Sequence, residues 1–266
     1  MIVLITGGSA GIGAAIANQL QQEAHRIIVA GRRVKTNFSK SGISTLQMDV
    51  TKKESVTTAI TKLYNATKRI DVVIQCAGRG AIGPLEAFHT DEIADVFNLN
   101  LYGILRVNQA IIPIMQQQGS GRIILVSSLA AEAGLPFQSV YCASKAALDI
   151  MIESLRMEIK AFGIDAFVLQ PGDFKTEVAQ HRKLPDIDSK SPYKNAFKKI
   201  NLNATNKVEM AGDPIKVARK VSQLLAKNRL APKYRVGEPL ELVMPWVKAL
   251  LPASLFERLL MKYYGL

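Results

Sequence analysis

Tyr141 and Lys145 stand four residues apart, on a stripe that continues through Leu148 and Ile152 at helical spacing. On one helix face the Lys145 ammonium reaches the neighbourhood of the Tyr141 phenol. A positive charge there favours phenolate and lowers a pKa that is ordinarily about 10. That makes the tyrosine a usable acid and base near neutrality. Y-x-x-x-K alone is common and decides nothing. Thirteen residues upstream, though, Ser128 ends the run IILVSS. Strand ends of this polarity face the ligand crevice of an α/β sheet, where a hydroxyl can hold a substrate oxygen beside the phenol. Asn100, in FNLNLYG, sits inside a helical pattern where asparagine has little local advantage. A buried polar partner or a water is the natural reason for it.

A second constellation lies at the start of the chain. The run IVLIT meets Thr6-Gly7-Gly8-Ser9-Ala10-Gly11-Ile12-Gly13 and then a helical stripe of Ile12, Ile16 and Leu20. Glycines there permit positive φ and close approach of backbone to pyrophosphate, and the helix start offers free N–H groups to the anion. The spacing, G-x-x-x-G-x-G, departs from the common G-x-G-x-x-G. The second strand ends Ala30-Gly31-Arg32-Arg33. An acid at this position would accept from the ribose 2′-OH of NAD; a cation suits the 2′-phosphate of NADP. The residues here are cationic, so the reading is NADP, the alternative being two solvated arginines at a strand end.

These residues need a scaffold, and composition supplies its bounds. The chain has 266 residues, 48% hydrophobic and 21% charged, which excludes disorder and suits one α/β domain. Two cysteines, Cys76 and Cys142, and three scattered histidines form no disulfide framework and no metal-ligand spacing. No signal peptide or membrane span is read, so the expectation is a reduced, cytoplasmic, soluble protein. The net charge of +12 is uneven: residues 182–235 hold fourteen Lys/Arg against four Asp/Glu. No DNA-reading motif or aromatic interleaving accompanies them, so a solvated basic surface is preferred to nucleic-acid binding.

Short β-branched runs at 2–6, 26–31, 71–76 and 122–127, with weaker ones at 44–49 and 164–170, alternate with helical patterns. Continuous apolar runs suit strands buried on both faces, so the fold class is a doubly wound parallel α/β sheet. Thr90 reads as a helix N-cap, and Asp213-Pro214 as an N-cap with proline at the first position. A helix from Ser139 to Ala161 carries Ala143, Ala147, Ile150 and Met151 opposite Tyr141, a second apolar face that calls for a subunit partner. Periodicity fades over 173–212, a long loop or short-helix region of the kind that forms lids. Residues 239–266 read as two short amphipathic helices packed on the body or a subunit, with peripheral membrane contact as the alternative.

Together the segments TGGSAGIG (6–13), AGRR (30–33), DV (49–50), CAG (76–78), NLYG (100–103), SS (127–128), YCASK (141–145) and PGDFKT (171–176) resemble the short-chain dehydrogenase/reductase family. The resemblance covers about residues 1–176. It implies a single Rossmann-type domain over 1–266, with a substrate lid at 173–212 and a helical tail at 239–266. It implies a catalytic Ser128, Tyr141 and Lys145, extended by Asn100. Ser128 would position the substrate oxygen, Tyr141 would transfer its proton, and Lys145 would lower the tyrosine pKa and hold the nicotinamide ribose. Asn100 would anchor a water linking Lys145 to solvent. Gly7, Ser9, Gly11, Ile12 and Gly13 would line the pyrophosphate and ribose. Asp49 and Val50 would meet the adenine, Ala77 and Gly78 the ribose, and Pro171, Gly172 and Thr176 the nicotinamide.

The family's Asn-Asn-Ala-Gly is Gln75-Cys76-Ala77-Gly78 here, and Ala10 stands where NADP-preferring members often carry a loop cation. Phosphate recognition then rests on Arg32, with Arg33 beside it. The implied function is NADP(H)-dependent interconversion of a ketone or aldehyde with an alcohol, on an apolar steroid-, retinoid- or lipid-like substrate, in a homodimer or homotetramer. A non-catalytic NADP-binding sensor on the same fold is the alternative.

Overall fold

The apolar runs become seven parallel strands: β1 (Ile2–Thr6), β2 (Arg26–Gly31), β3 (Ser44–Gln47), β4 (Val72–Gln75), β5 (Gly121–Val126), β6 (Ile164–Pro171) and β7 (Lys233–Val236). Their order is β3-β2-β1-β4-β5-β6-β7. The computed structural model describes every residue but Lys40, and every side chain but those of Val178 and Ala179; the latter two belong to the expected lid.

Successive side chains of a strand point to opposite faces, and each face has its own helical layer. Leu4, Ile28, Val73, Ile123 and Leu125 pack towards α2 (Lys53–Thr67), α4 (Gly103–Gln118) and α5 (Ser139–Ile159). Val3, Ile5, Ile27, Ile74 and Phe167 pack towards α1 (Gly11–Gln22) and α7 (Ile215–Leu225). The core strands are buried on both sides, which is why they read as unbroken apolar runs. Strand order reverses between β1 and β4, so a crevice opens at their carboxyl ends. Thr6, Gln75 and Ala30 share one level of the sheet, and the loops leaving them define that crevice.

Where α3 (Thr90–Phe97) runs into α4, one wide π turn, Asn98–Tyr102, replaces an α turn. α3 begins one residue earlier than its threonine suggests: His89 is the cap, and its N–H donates to Glu92 Oε2 at 3.1 Å. At α7 the Asp213 carboxylate accepts from the Ile215 N–H at 2.8 Å, with Pro214 in the cap position. The region expected to be a long loop or short helices holds a seventeen-residue helix, α6 (Lys194–Met210), which buries only Ile200 and Val208. Strand β7 has no apolar run; its four residues are all half-buried at the sheet edge. The tail forms α8 (Pro239–Leu250) and α9 (Ala253–Tyr264), and much of its apolar surface is not covered by the body. Among the described residues no helix is long and apolar enough to cross a membrane.

Candidate active site

The glycine loop after β1 is shaped by contacts that a side chain would abolish. Gly7 has φ +66°, and a Cβ there would lie 2.7 Å from the Ala77 nitrogen, while a Cβ on Gly13 would run into the Gly7 carbonyl. A Cβ on Gly11, at φ +52°, would lie 3.1 Å from the Thr176 methyl. Three of the expected coenzyme segments, 7–13, 77–78 and 176, therefore meet around one backbone cradle of the kind that admits a pyrophosphate. Ile12 is partly buried against the core, and Val50 is buried with its methyl against Gly103.

Arg32 is exposed just past β2, where a Cβ on Gly31 would lie 3.7 Å from Ser9 Oγ. Burial works against the Asp49 carboxylate, but hydrogen bonds from the Thr51 hydroxyl (2.7 Å) and N–H (3.0 Å), with Arg32 nearby, hold its pKa below the usual range. Asp49 is thus occupied by Thr51, and its own N–H donates to Ser55 Oγ at 2.9 Å. The cradle fits the pyrophosphate of a dinucleotide, and among the described residues the Arg32 guanidinium makes no hydrogen bond or salt bridge.

The expected catalytic residues converge at the end of β5. Ser128 is extended there, accepts a hydrogen bond from the Ala130 N–H at 3.1 Å, and its hydroxyl lies beside the Tyr141 phenol. Lys145, one turn along α5, is only 5% exposed, and its ammonium donates to the Val126 carbonyl at 3.2 Å. Its Nζ lies 5.9 Å from the Tyr141 ring centroid. Gly78 closes the group: a Cβ there would stand 3.2 Å from Asn100 Oδ1 and 3.5 Å from Lys145 Nζ.

The electrostatics depart from the expectation that lysine pulls the tyrosine pKa down. Burial dominates and pushes the Tyr141 pKa up, with the Ser128 hydrogen bond opposing it. The same desolvation brings Lys145 down to about 8, only partly restored by the Asp149 carboxylate one turn further on. Asn100 is fully buried and satisfied by protein: Oδ1 accepts from the Arg79 N–H at 2.9 Å, and Nδ2 donates to the Arg79 carbonyl (2.9 Å) and Ser144 Oγ (3.0 Å). Of the two reasons offered for this asparagine, the polar partner holds for its side chain. Gln75, at the departure from the family pattern, donates to Asn108 Oδ1 at 2.5 Å inside the core. That bond knits β4 to α4 away from the reacting groups.

Sequence reasoning missed a buried polar cluster behind Lys145. Gln170 Nε2 donates to Asp149 Oδ2 (2.6 Å) and Glu132 Oε1 (2.7 Å); Lys233 and Arg235 of β7 each reach Glu132 at 3.0 Å. Asp149 falls at i+4 from Lys145, so helical spacing held a signal for it. Its partners come from separate stretches. Asp173 and Arg182 also lie near Tyr141, and Arg182 donates to the Ala204 carbonyl at 3.2 Å, tying the segment after Thr176 to α6.

A family model described as short chain dehydrogenase matches residues 1–186. The chain is 30% identical to 3-ketodihydrosphingosine reductase of Bacteroides thetaiotaomicron, across all of this chain and 98% of that protein. It is 35% identical to human 17-beta-hydroxysteroid dehydrogenase type 1, over 66% of this chain and 57% of that protein. Among solved structures, ElxO with NADP bound superposes with a TM-score of 0.71 at 25% identity, covering 87% of this chain and 94% of that one. The strand order, the glycine cradle and these likenesses lead to one conclusion: the chain belongs to the short-chain dehydrogenase/reductase family, oxidoreductases of alcohol and carbonyl groups.

Proposed function

We propose that this protein is an NADP(H)-dependent oxidoreductase that interconverts an apolar ketone or aldehyde with the corresponding alcohol. The observation that carries this reading is the contact of Ser128 with Tyr141 beside the buried Lys145, at the mouth of the glycine cradle. When bound, the dinucleotide supplies or accepts the hydride. The chain's residues do the rest. Ser128 and Tyr141 hold the substrate oxygen between their hydroxyls, and the Tyr141 proton passes to that oxygen in reduction or returns from it in oxidation. Lys145 spends one N–H on Val126 and has two left for the nicotinamide ribose and for the proton path. Gly7, Ser9, Gly11, Ile12, Gly13, Ala77 and Gly78 hold the pyrophosphate side; Asp49 and Val50 border the adenine; Pro171, Gly172 and Thr176 border the nicotinamide. Asn100 fixes the Arg79 backbone beside Lys145 and so shapes the wall of the site.

NADP is preferred to NAD because Arg32 is an exposed cation with no salt bridge among the described residues and no acid stands at Gly31. The apolar substrate class rests on the names of the sphingosine and steroid relatives, and on the aromatic pair Phe137–Tyr193, whose Phe137 precedes Tyr141 by four residues in the chain. A homo-oligomer is supported by Ile150, 66% exposed on the outer face of α5; light scattering that read a monomeric mass would count against it. Free Cys76 and Cys142 agree with a reducing, cytoplasmic setting. The test is NADPH oxidation with a panel of long-chain acyl, steroid and short aliphatic carbonyls. Turnover confined to small polar carbonyls would overturn the substrate class, and no turnover with any carbonyl or alcohol would overturn the function.

A further inference from the structure

We propose that the α8–α9 hairpin, with the lysines of α6 beside it, is a docking surface for an anionic lipid bilayer. Helix α8 divides along its length. Glu241 accepts from the Asp173 N–H at 3.1 Å and Lys248 donates to the Glu132 carbonyl at 2.6 Å, so this side faces the body. The opposite side carries Leu240 (72% exposed), Val243, Trp246 (64%) and Leu250 (82%), at spacings that form one stripe. In α9, Phe256 is buried while Leu255 and Leu259 are exposed, with Arg258 and Lys262 on the same side. Aliphatic stripes with a tryptophan and flanking cations are the pattern of helices that lie in a membrane interface.

Charge selects the occupant. Residues 182–235 carry a net charge of +10, and α6 displays Lys194 and Lys198 in solvent, neither in a salt bridge among the described residues. Helix α6 is tied to α9: Lys199 donates to the Gly265 carbonyl at 2.9 Å, and Lys207 sits 4.0 Å over the Tyr263 ring. The lysines of α6 therefore stand beside α9, the second helix of the pair, where anionic headgroups attract them. A second copy placed there would set this basic surface against its own image. The hairpin also adjoins the reacting groups, since Tyr264 lies near Gln138, Asp173 and Cys142. A bilayer on this face would meet the entrance to Tyr141. The inference stands on the surface alone and does not depend on the coenzyme or substrate assignment.

Trp246 is the chain's one tryptophan, so its emission reports on α8 directly. The full chain would be titrated with phosphatidylcholine vesicles and with vesicles containing phosphatidylglycerol, following emission and co-sedimentation. The expected result is a blue shift and co-sedimentation with the anionic vesicles. Both should weaken by about tenfold or more when salt is raised to about 0.5 M, where the screening length falls to a few ångströms. Leu250→Asp, solvent-facing and so expected to leave the melting temperature unchanged, should lower partitioning by about tenfold or more. Lys194→Glu with Lys198→Glu should remove the preference for anionic lipid. Absence of any shift or sedimentation overturns the proposal, as does binding that Leu250→Asp leaves intact. Tryptophan emission already blue in lipid-free dimer, and red in a Leu250→Asp monomer, would assign the stripe to a second copy and overturn it too.

Discussion

Replacing Arg32 with alanine tests the coenzyme assignment most directly. Among the described residues Arg32 makes no hydrogen bond or salt bridge, and its charge is felt by the Asp49 carboxylate. Truncation therefore breaks no hydrogen bond or salt bridge inside the protein and removes only a favourable charge from Asp49, so the change reads chiefly the ligand. A charge-assisted hydrogen bond contributes roughly 1.5–3 kcal/mol. Exposure of the side chain and the like charge of Asp49 towards a phosphate place the value in the lower half, about 1.5–2 kcal/mol. The NADPH dissociation constant should rise about ten- to thirtyfold. That for NADH should move by less than about twofold, since it brings no phosphate. Gly31→Asp added to Arg32→Ala should then favour NADH, and its Cβ fits because the nearest atom is Ser9 Oγ at 3.7 Å. Titrating both coenzymes by nicotinamide fluorescence, at one fixed ionic strength, gives all the constants. Equal NADPH affinity in wild type and Arg32→Ala would refute the reasoning and move the phosphate to Arg33 or another cation.

Other consequences concern the reacting groups and their support. Tyr141→Phe should lower turnover by about a thousandfold or more while coenzyme affinity stays within about twofold, and retained activity would remove Tyr141 from proton transfer. Holding the Lys145 ammonium at pH 7 with a pKa near 8 instead of 10.5 costs up to about 3 kcal/mol. Lys145→Met should therefore abolish turnover yet raise stability by about 1–2 kcal/mol, allowing for the lost Val126 bond. The unfolded chain keeps this proton up to about pH 10.5 and the folded one only to about 8, so the wild type recovers the difference as pH rises between them. A lower melting temperature in Lys145→Met at pH 7 would contradict this. Burial opposes the Glu132 carboxylate, but Gln170, Arg235 and Lys233 bring its pKa down to about 2, so its stabilisation is full above about pH 4.5 and lost as pH falls towards 2. After discounting for solvent screening, Glu132→Gln should cost about 1–2 kcal/mol at neutral pH and much less near pH 2, which denaturant melts at the two pH values would read.

How much of this was legible in the chain depended on how locally each feature is encoded. Strands such as Val72–Gln75 and Gly121–Val126 announce themselves because burial on both faces demands unbroken apolar runs. The glycine cradle is equally local, since a positive φ or a backbone contact leaves glycine as the residue that fits. Helix α6 escaped because two buried residues in seventeen leave no stripe to see. Strand β7 escaped because an edge strand held by Lys233 and Arg235 pairing with Glu132 has the composition of a loop. The rise in the Tyr141 pKa was hidden for another reason: spacing shows that a charge is near, while the depth of burial that outweighs it is set by the whole fold.

The wide turn at Asn98–Tyr102 has a consequence for changes in chain length. In it the Gly103 N–H reaches back five residues to the Asn98 carbonyl, so one residue more than an α-helix needs is absorbed without a break. The segments before and after it are thereby out of phase by about 100°, the angle one residue subtends on a helix. Asn100 reaches Arg79 and Ser144 from within that turn. Losing any single residue of the turn would let the helix close in α register and swing the asparagine out of the wall it builds, with every remaining side chain still of the right kind. At this point of the chain an in-frame deletion of one codon is as damaging as a substitution in the site, whereas the same deletion in a surface loop passes unnoticed.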